Sequence, residues 1–184
     1  MAARREMAAP ATAIRATAEA MPFVIAFCQW LNDLPFSQAL SESDWAFPIV
    51  ESVHVLALTL MVGTVALVDL RLLGVAFTRI RVSDVTGQLL PLTWIGFAVM
   101  AASGLALFAS EAVRLAGNAA FQVKLVLLVL AGLNPLIFHV AIYRHVATWE
   151  DAPVIPLRAK ISALASLVLW AGIIVCGRMI AYFH

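Results

Sequence analysis

The chain has 184 residues, 63% of them hydrophobic and 12% charged. Soluble domains carry about 25% charged residues, so a water-soluble globule and a disordered chain are both excluded. Twelve Lys and Arg against 11 Asp and Glu leave a net charge of +1, which excludes a basic face for nucleic-acid phosphates.

One all-α integral membrane domain in a lipid bilayer remains. Residues 1–20 are Ala-rich, with Arg4, Arg5 and Arg15 interrupted by Glu6 and Glu19. They read as a disordered tail rather than a cleaved secretion signal, with Met7 and Met21 as alternative starts. The single membrane domain is then 21–184. Phe23 to Leu31 is apolar but only nine residues long. A spanning helix needs about 20, and Pro35 stops extension. A short interfacial helix is expected, with Trp30 at headgroup depth.

Four spans follow, at about 45–68, 89–110, 119–143 and 161–183. Each can cross roughly 30 Å of hydrocarbon at about 1.5 Å per residue. Lipid offers backbone groups no partner, so these are expected to be helices in a four-helix bundle. Ser43 or Asp44 can cap the first, with Pro48 in its first turn. Pro153 and Pro156 precede the fourth, and Asn134 before Pro135 marks a weak point in the third. The first connection carries Arg71, Arg79 and Arg81, and the third carries Arg144, Arg158 and Lys160. The second carries only Arg114. The positive-inside rule then predicts a bacterial inner-membrane protein with both termini periplasmic. Ala98, Ala102 and Ala106, and Ser162 and Ser166, recur every fourth residue. Such small-residue faces suit helix packing, within the bundle or against a second copy or a membrane-complex partner.

Ionisable groups inside a membrane are costly and call for a reason. Counted inward from Phe47, Phe121 and Phe183, His54 lies ~10 Å deep, Glu51 ~6 Å, Lys124 ~4–5 Å, Arg178 ~7–8 Å and Cys176 ~10 Å. His139 lies ~27 Å down, near the other boundary, followed by Arg144 and His145. Glu51 and His54 are three apart, and Glu51 and Asp69 are eighteen apart, five helical turns. One face of the first span therefore carries all three. The expected cluster joins Glu51, His54, Lys124 and Arg178, with Glu51 pairing Arg178. Snorkelling of Lys124 and Arg178, a satisfied core His54 and an interfacial His139 are the plain alternatives. Asp69 is expected to cap or pair at its boundary.

The run FPIVESVHVLALTLMVGTVALVDLRLLG, Phe47 to Gly74, with GRMIAY at Gly177 to Tyr182, resembles a family of small bacterial four-helix membrane proteins of unknown function. More distantly, His54, Gly63 and FQVKLVLLVLAGLN, Phe121 to Asn134, resemble the copper-resistance D domain and the haem b-containing four-helix protoporphyrinogen oxidase. That resemblance implies functional roles for a helix-one His and a helix-three Lys, here His54 and Lys124. The oxidase activity itself is not carried over.

Three functions are consistent with these residues. In a haem b-binding, redox-linked protein, His54 ligates iron while Lys124, Arg178 and Glu51 line the cofactor site. His139 lies too far from His54 to share its iron, and would mark a second metal site. A non-catalytic accessory or structural subunit of a membrane complex would use the cluster as glue. A proton or metal-cation transporter would use Glu51 and His54, with Cys176 as a soft ligand for Cu(I).

Overall fold

A computed structural model describes residues 22–150 and 154–182. The expected N-terminal tail lies outside the described residues. Every regular element described is helical. Helix α1 covers 22–32, too short to span. Pro35 ends it and also starts the next helix, α2 (Pro35–Ser41), in whose first turn a missing N–H costs nothing.

Four helices are long and apolar enough to cross a membrane: α3 (Ala46–Leu73), α4 (Val82–Ser110), α6 (Ala119–Ala141) and α7 (Leu157–Met179). The chain is a multi-pass membrane protein. A five-residue α5 (Ala112–Ala116) joins α4 to α6, and a 3-10 turn, Tyr143–Thr148, follows α6.

The ends of these helices have local causes. Ser43 Oγ accepts the N–H of Ala46 at 3.0 Å, as its position in the sequence predicts. Helix α3 runs five residues past the expected end at 68 and stops at Gly74, whose φ of +78° places it in the left-handed region. The N–H groups of Val75 and Ala76 then reach the carbonyl of Leu70 at 3.0 and 3.3 Å. Helix α4 starts at Val82 rather than 89, because Glu150 supplies its cap from a distant connection. Glu150 Oε2 accepts from Ser83 N at 3.2 Å and Ser83 Oγ at 2.6 Å. Pro91 consequently falls inside α4. Asn118 caps α6, its Oδ1 accepting from Phe121 N at 3.1 Å, while its Nδ2 donates to Ile180 O at 3.3 Å.

The spans pack in the order α4–α3–α7–α6. The backbones of α4 and α6 do not pack along their lengths. At the end bearing the chain termini, the stacked rings of Phe108 and Phe121, 5.4 Å apart, bridge them. Ala57, Met61 and Met100 form one core cluster, against which Trp170 packs. Gly96 lets α3 and α4 close up there: a Cβ on it would stand 3.0 Å from both Cβ and N of Met61. Leu72, Val82, Ala159 and Ala163 form a second cluster at the opposite end, covered by Phe138 and Trp149.

The alanine stripe of α4 does not make these contacts. Gly96, Met100 and Ser103 are the buried residues of that helix segment. Ala98, Ala102 and Ala106 instead line a shallow apolar groove of about 460 Å³ with Val50 and Val53. The α7 serines do face a neighbour, and they also hydrogen-bond. Ser162 Oγ donates to Asn134 Oδ1 at 2.8 Å, and Asn134 Nδ2 donates to the Ser162 carbonyl at 3.1 Å.

Candidate functional site

His54 projects from α3 onto α4. Its Nδ1 lies 3.0 Å from the Met100 carbonyl and 3.1 Å from Ser103 Oγ. The Ser103 hydroxyl spends its own proton on Val99 O at 2.6 Å. Both neighbours of Nδ1 therefore act as acceptors, so Nδ1 carries the ring proton and Nε2 presents a lone pair. The ring points its Cε1 edge at Gly104, where a Cβ would stand 2.9 Å from Cε1. Any other residue at 104 would occupy the space the imidazole fills.

Lys124 reaches from α6 across α7. Its Nζ lies 3.6 Å from where a Cβ of Gly177 would stand. It is half-buried, and the half-buried free thiol of Cys176 is its electrostatic neighbour. The charges of Lys124 and Glu51 both act on the His54 ring. Four helices thus contribute polar groups near the α4–α6 connection. His54 comes from α3, Ser103 and Gly104 from α4, Lys124 from α6, and Cys176 and Gly177 from α7. Gly104 makes room for the His54 ring, while a Cβ at Gly177 would meet Lys124 Nζ at ordinary contact distance.

Two expectations for this cluster are corrected. Glu51 and Arg178 are both exposed. They form no ion pair, and the carboxylate–guanidinium pair at this end is Glu111 with Arg114. Glu51 and Asp69 share one face of α3, and a neighbouring helix covers that face at the Asp69 end, where Ser166 of α7 meets it, and leaves it exposed at Glu51. The five-turn count from Glu51 to Asp69 therefore does not put both inside, and only Asp69 is buried, at 6% exposure. His139 is exposed on α6 and stacks on Tyr143, with centroids 5.5 Å apart.

The Asp-Leu-Arg-Leu-Leu-Gly element becomes intelligible at the opposite end. Arg71 is buried and its Nε donates to the Ile80 carbonyl at 2.7 Å, closing the α3–α4 connection. Leu72 enters the second core cluster, and Gly74 supplies the left-handed cap. Glu150 sits above this assembly. The Ser83 hydroxyl holds its carboxyl below the ordinary glutamate range against the opposing effect of burial, helped by the Ser83 N–H and by the charges of Arg81 and Arg71. Sequence reasoning missed this Glu150–Ser83 contact, as it missed Gly104 and the Met100 carbonyl.

Among the described residues, no three His, Cys, Asp or Glu side chains come together to hold a metal ion. A protein family of unknown function, DUF6644, matches residues 46–183. No curated protein and no solved structure matches the chain.

Proposed function

The chain belongs to the DUF6644 family of unknown function, and from its own residues we propose that it is a haem b-binding, redox-linked membrane protein with His54 as the iron ligand. The observation carrying this is the locked tautomer. With Nδ1–H held by the Met100 carbonyl and Ser103, Nε2 is the free donor, and a backbone carbonyl behind Nδ1–H is a common second partner for a metal-bound histidine. A single imidazole Nε2 is what His54 would offer the iron. Lys124 would supply a cation for a propionate, and exposed Glu51 and Arg178 would form the polar rim. Of the other described histidines, His139 and His145 lie at the opposite end, on α6 and in the turn after it. Bound haem would supply a one-electron couple. The protein's part is to orient the imidazole, neutralise the propionate and keep the ring in an apolar setting beside Trp170 and Met100.

In this reading the protein lies in the bacterial inner membrane with its termini on the periplasmic side. The three-one-three distribution of basic residues supports that placement. Cysteine labelling at Arg79 and Asn118 should reach them from opposite sides, and periplasmic labelling at Arg79 would reverse it.

The test is an absorption spectrum of detergent-purified protein from cells supplied with ample haem. A haem b spectrum is expected in the wild type, and its loss in His54→Ala, with the protein still membrane-inserted. His139→Ala should leave the spectrum unchanged. A colourless wild type, or an unchanged His54→Ala spectrum, refutes the assignment. A second reading, an accessory subunit, is favoured by the uncovered Ala98–Ala102–Ala106 groove and by polar groups that bond helix to helix. Colourless protein that co-purifies with partner subunits would favour it. The metal-cation alternative finds no group of three ligands among the described residues.

A further inference from the structure

Asp69 lies at the opposite end of α3 from His54, fifteen residues or about 22 Å along the helix axis. It is 6% exposed, and its Oδ2 has no hydrogen-bond partner. On α7, the Ser166 hydroxyl, itself 5% exposed, is its side-chain hydrogen-bond partner. Among the described residues, no cation forms an ion pair with the carboxylate. Arg71, on the same helix, is turned to the Ile80 carbonyl at 2.7 Å. On α7 the nearest basic residues in sequence are Lys160 and exposed Arg158, in the first turn. The first turn of α4 carries exposed Asp84, preceded by Arg81, and the α6–α7 connection carries exposed Arg144 and His145, which bond each other at 2.9 Å, and Glu150, occupied with Ser83. Helix α2 carries none. Asp69 forms an ion pair with none of these.

An ionised carboxylate removed from water without a counter-charge costs far more than the neutral acid, so such a group takes up a proton. The neutral acid needs only one acceptor or a water for its O–H, and one oxygen is already engaged by Ser166. Asp69 stands four residues, about 6 Å, from the end of α3, close enough to exchange protons with water at that end.

We propose that Asp69 and Ser166 form a proton-binding site inside the membrane domain, with the proton carried on Asp69 Oδ2. The site does not depend on the assignment of His54. Its ligand is the proton, exchanged with the aqueous phase at the end bearing the α3–α4 and α6–α7 connections.

The experiment treats the full-length protein, in detergent and in liposomes, with dicyclohexylcarbodiimide and maps adducts by mass spectrometry. This reagent needs a protonated carboxyl in an apolar setting. The acid proton passes to a carbodiimide nitrogen, the carboxylate oxygen bonds to the central carbon, and acyl transfer to nitrogen leaves a stable N-acylurea. An adduct on Asp69 at neutral pH is expected, its rate falling as pH is raised, and lost in Asp69→Asn. Ser166→Ala is expected to keep the adduct and shift that pH profile. Infrared spectra should show a protonated-acid carbonyl band in the wild type that Asp69→Asn lacks. Absence of the Asp69 adduct and of that band, in protein whose circular dichroism shows it folded, overturns the proposal. So does labelling confined to other carboxyls.

Discussion

Gly104→Ala tests whether His54 is held as described. An added Cβ would stand 2.9 Å from Cε1, and ordinary contact begins near 3.4 Å, so the ring must retreat by half an ångström. Its Nδ1 bond to Met100 O is 3.0 Å now, and half an ångström more takes it to the edge of hydrogen bonding. Overpacking costs about 1–3 kcal/mol, and the lost hydrogen bond about 1 kcal/mol. Alanine returns up to about 1 kcal/mol as the better helix former. The net expectation is a loss of about 1–4 kcal/mol. In a His54→Ala background the clash is gone, and Gly104→Ala should be neutral or stabilising by up to about 1 kcal/mol. The two sites then couple by about 2–4 kcal/mol. Reversible unfolding in mixed micelles of increasing SDS fraction, followed by helical circular dichroism on all four variants, measures this. Equal effects of Gly104→Ala in both backgrounds would refute the seating of His54 on Gly104.

Other outcomes follow from single contacts. Gly74→Ala forces a Cβ onto a φ of +78° and should cost about 1–2 kcal/mol in the same unfolding assay. Gly63→Ala, with nothing within 4 Å, should stabilise by about 0.5–1 kcal/mol. Asn134→Ala leaves Ser162 Oγ without its acceptor, and a loss of about 0.6–1.7 kcal/mol is expected, as for hydrogen bonds between membrane helices. Glu150 is held below the ordinary glutamate range, so its contribution is complete above about pH 4.3, the unfolded value. That contribution should disappear as pH falls through the depressed folded value. Wild type should therefore lose stability relative to Glu150→Gln on acidification below that point, and a constant difference from pH 7 down to pH 3 would contradict the capping role.

The spans were legible because apolar length is read residue by residue. Their ends were not always so. Ser43 could be seen as a cap because it stands three residues before the N–H it accepts, whereas Ser83 is capped by Glu150 from 67 residues away. The depth count put His54 at ~10 Å and Lys124 at ~4–5 Å, both in the third of the membrane nearest the α4–α6 connection. Burial was the harder quantity: Glu51 and Asp69 share a face by the helical period, but which neighbour covers that face at each depth is not written in the residues themselves. Gly104 and Gly177 carried no visible signal, because the value of a glycine lies in the side chain another helix sets upon it. The second span was expected to start at about 89, not at Val82, because the cap at Glu150 was invisible.

The order α4–α3–α7–α6 has a consequence for how the protein is made. Each outer helix packs on its neighbour in the chain, so α3–α4 and α6–α7 are self-contained hairpins that can form as soon as each pair leaves the translocon. The seam between them is α3 against α7, with Trp170 on Met61 and Met100, the Phe108–Phe121 stack at one end and the Glu150–Ser83 contact at the other. Nothing in that seam requires the peptide bonds of the α5 segment. A chain divided there is a two-piece protein whose halves should find each other laterally in the bilayer, as separately inserted helices do. Biogenesis is thereby divided into two insertions and one docking.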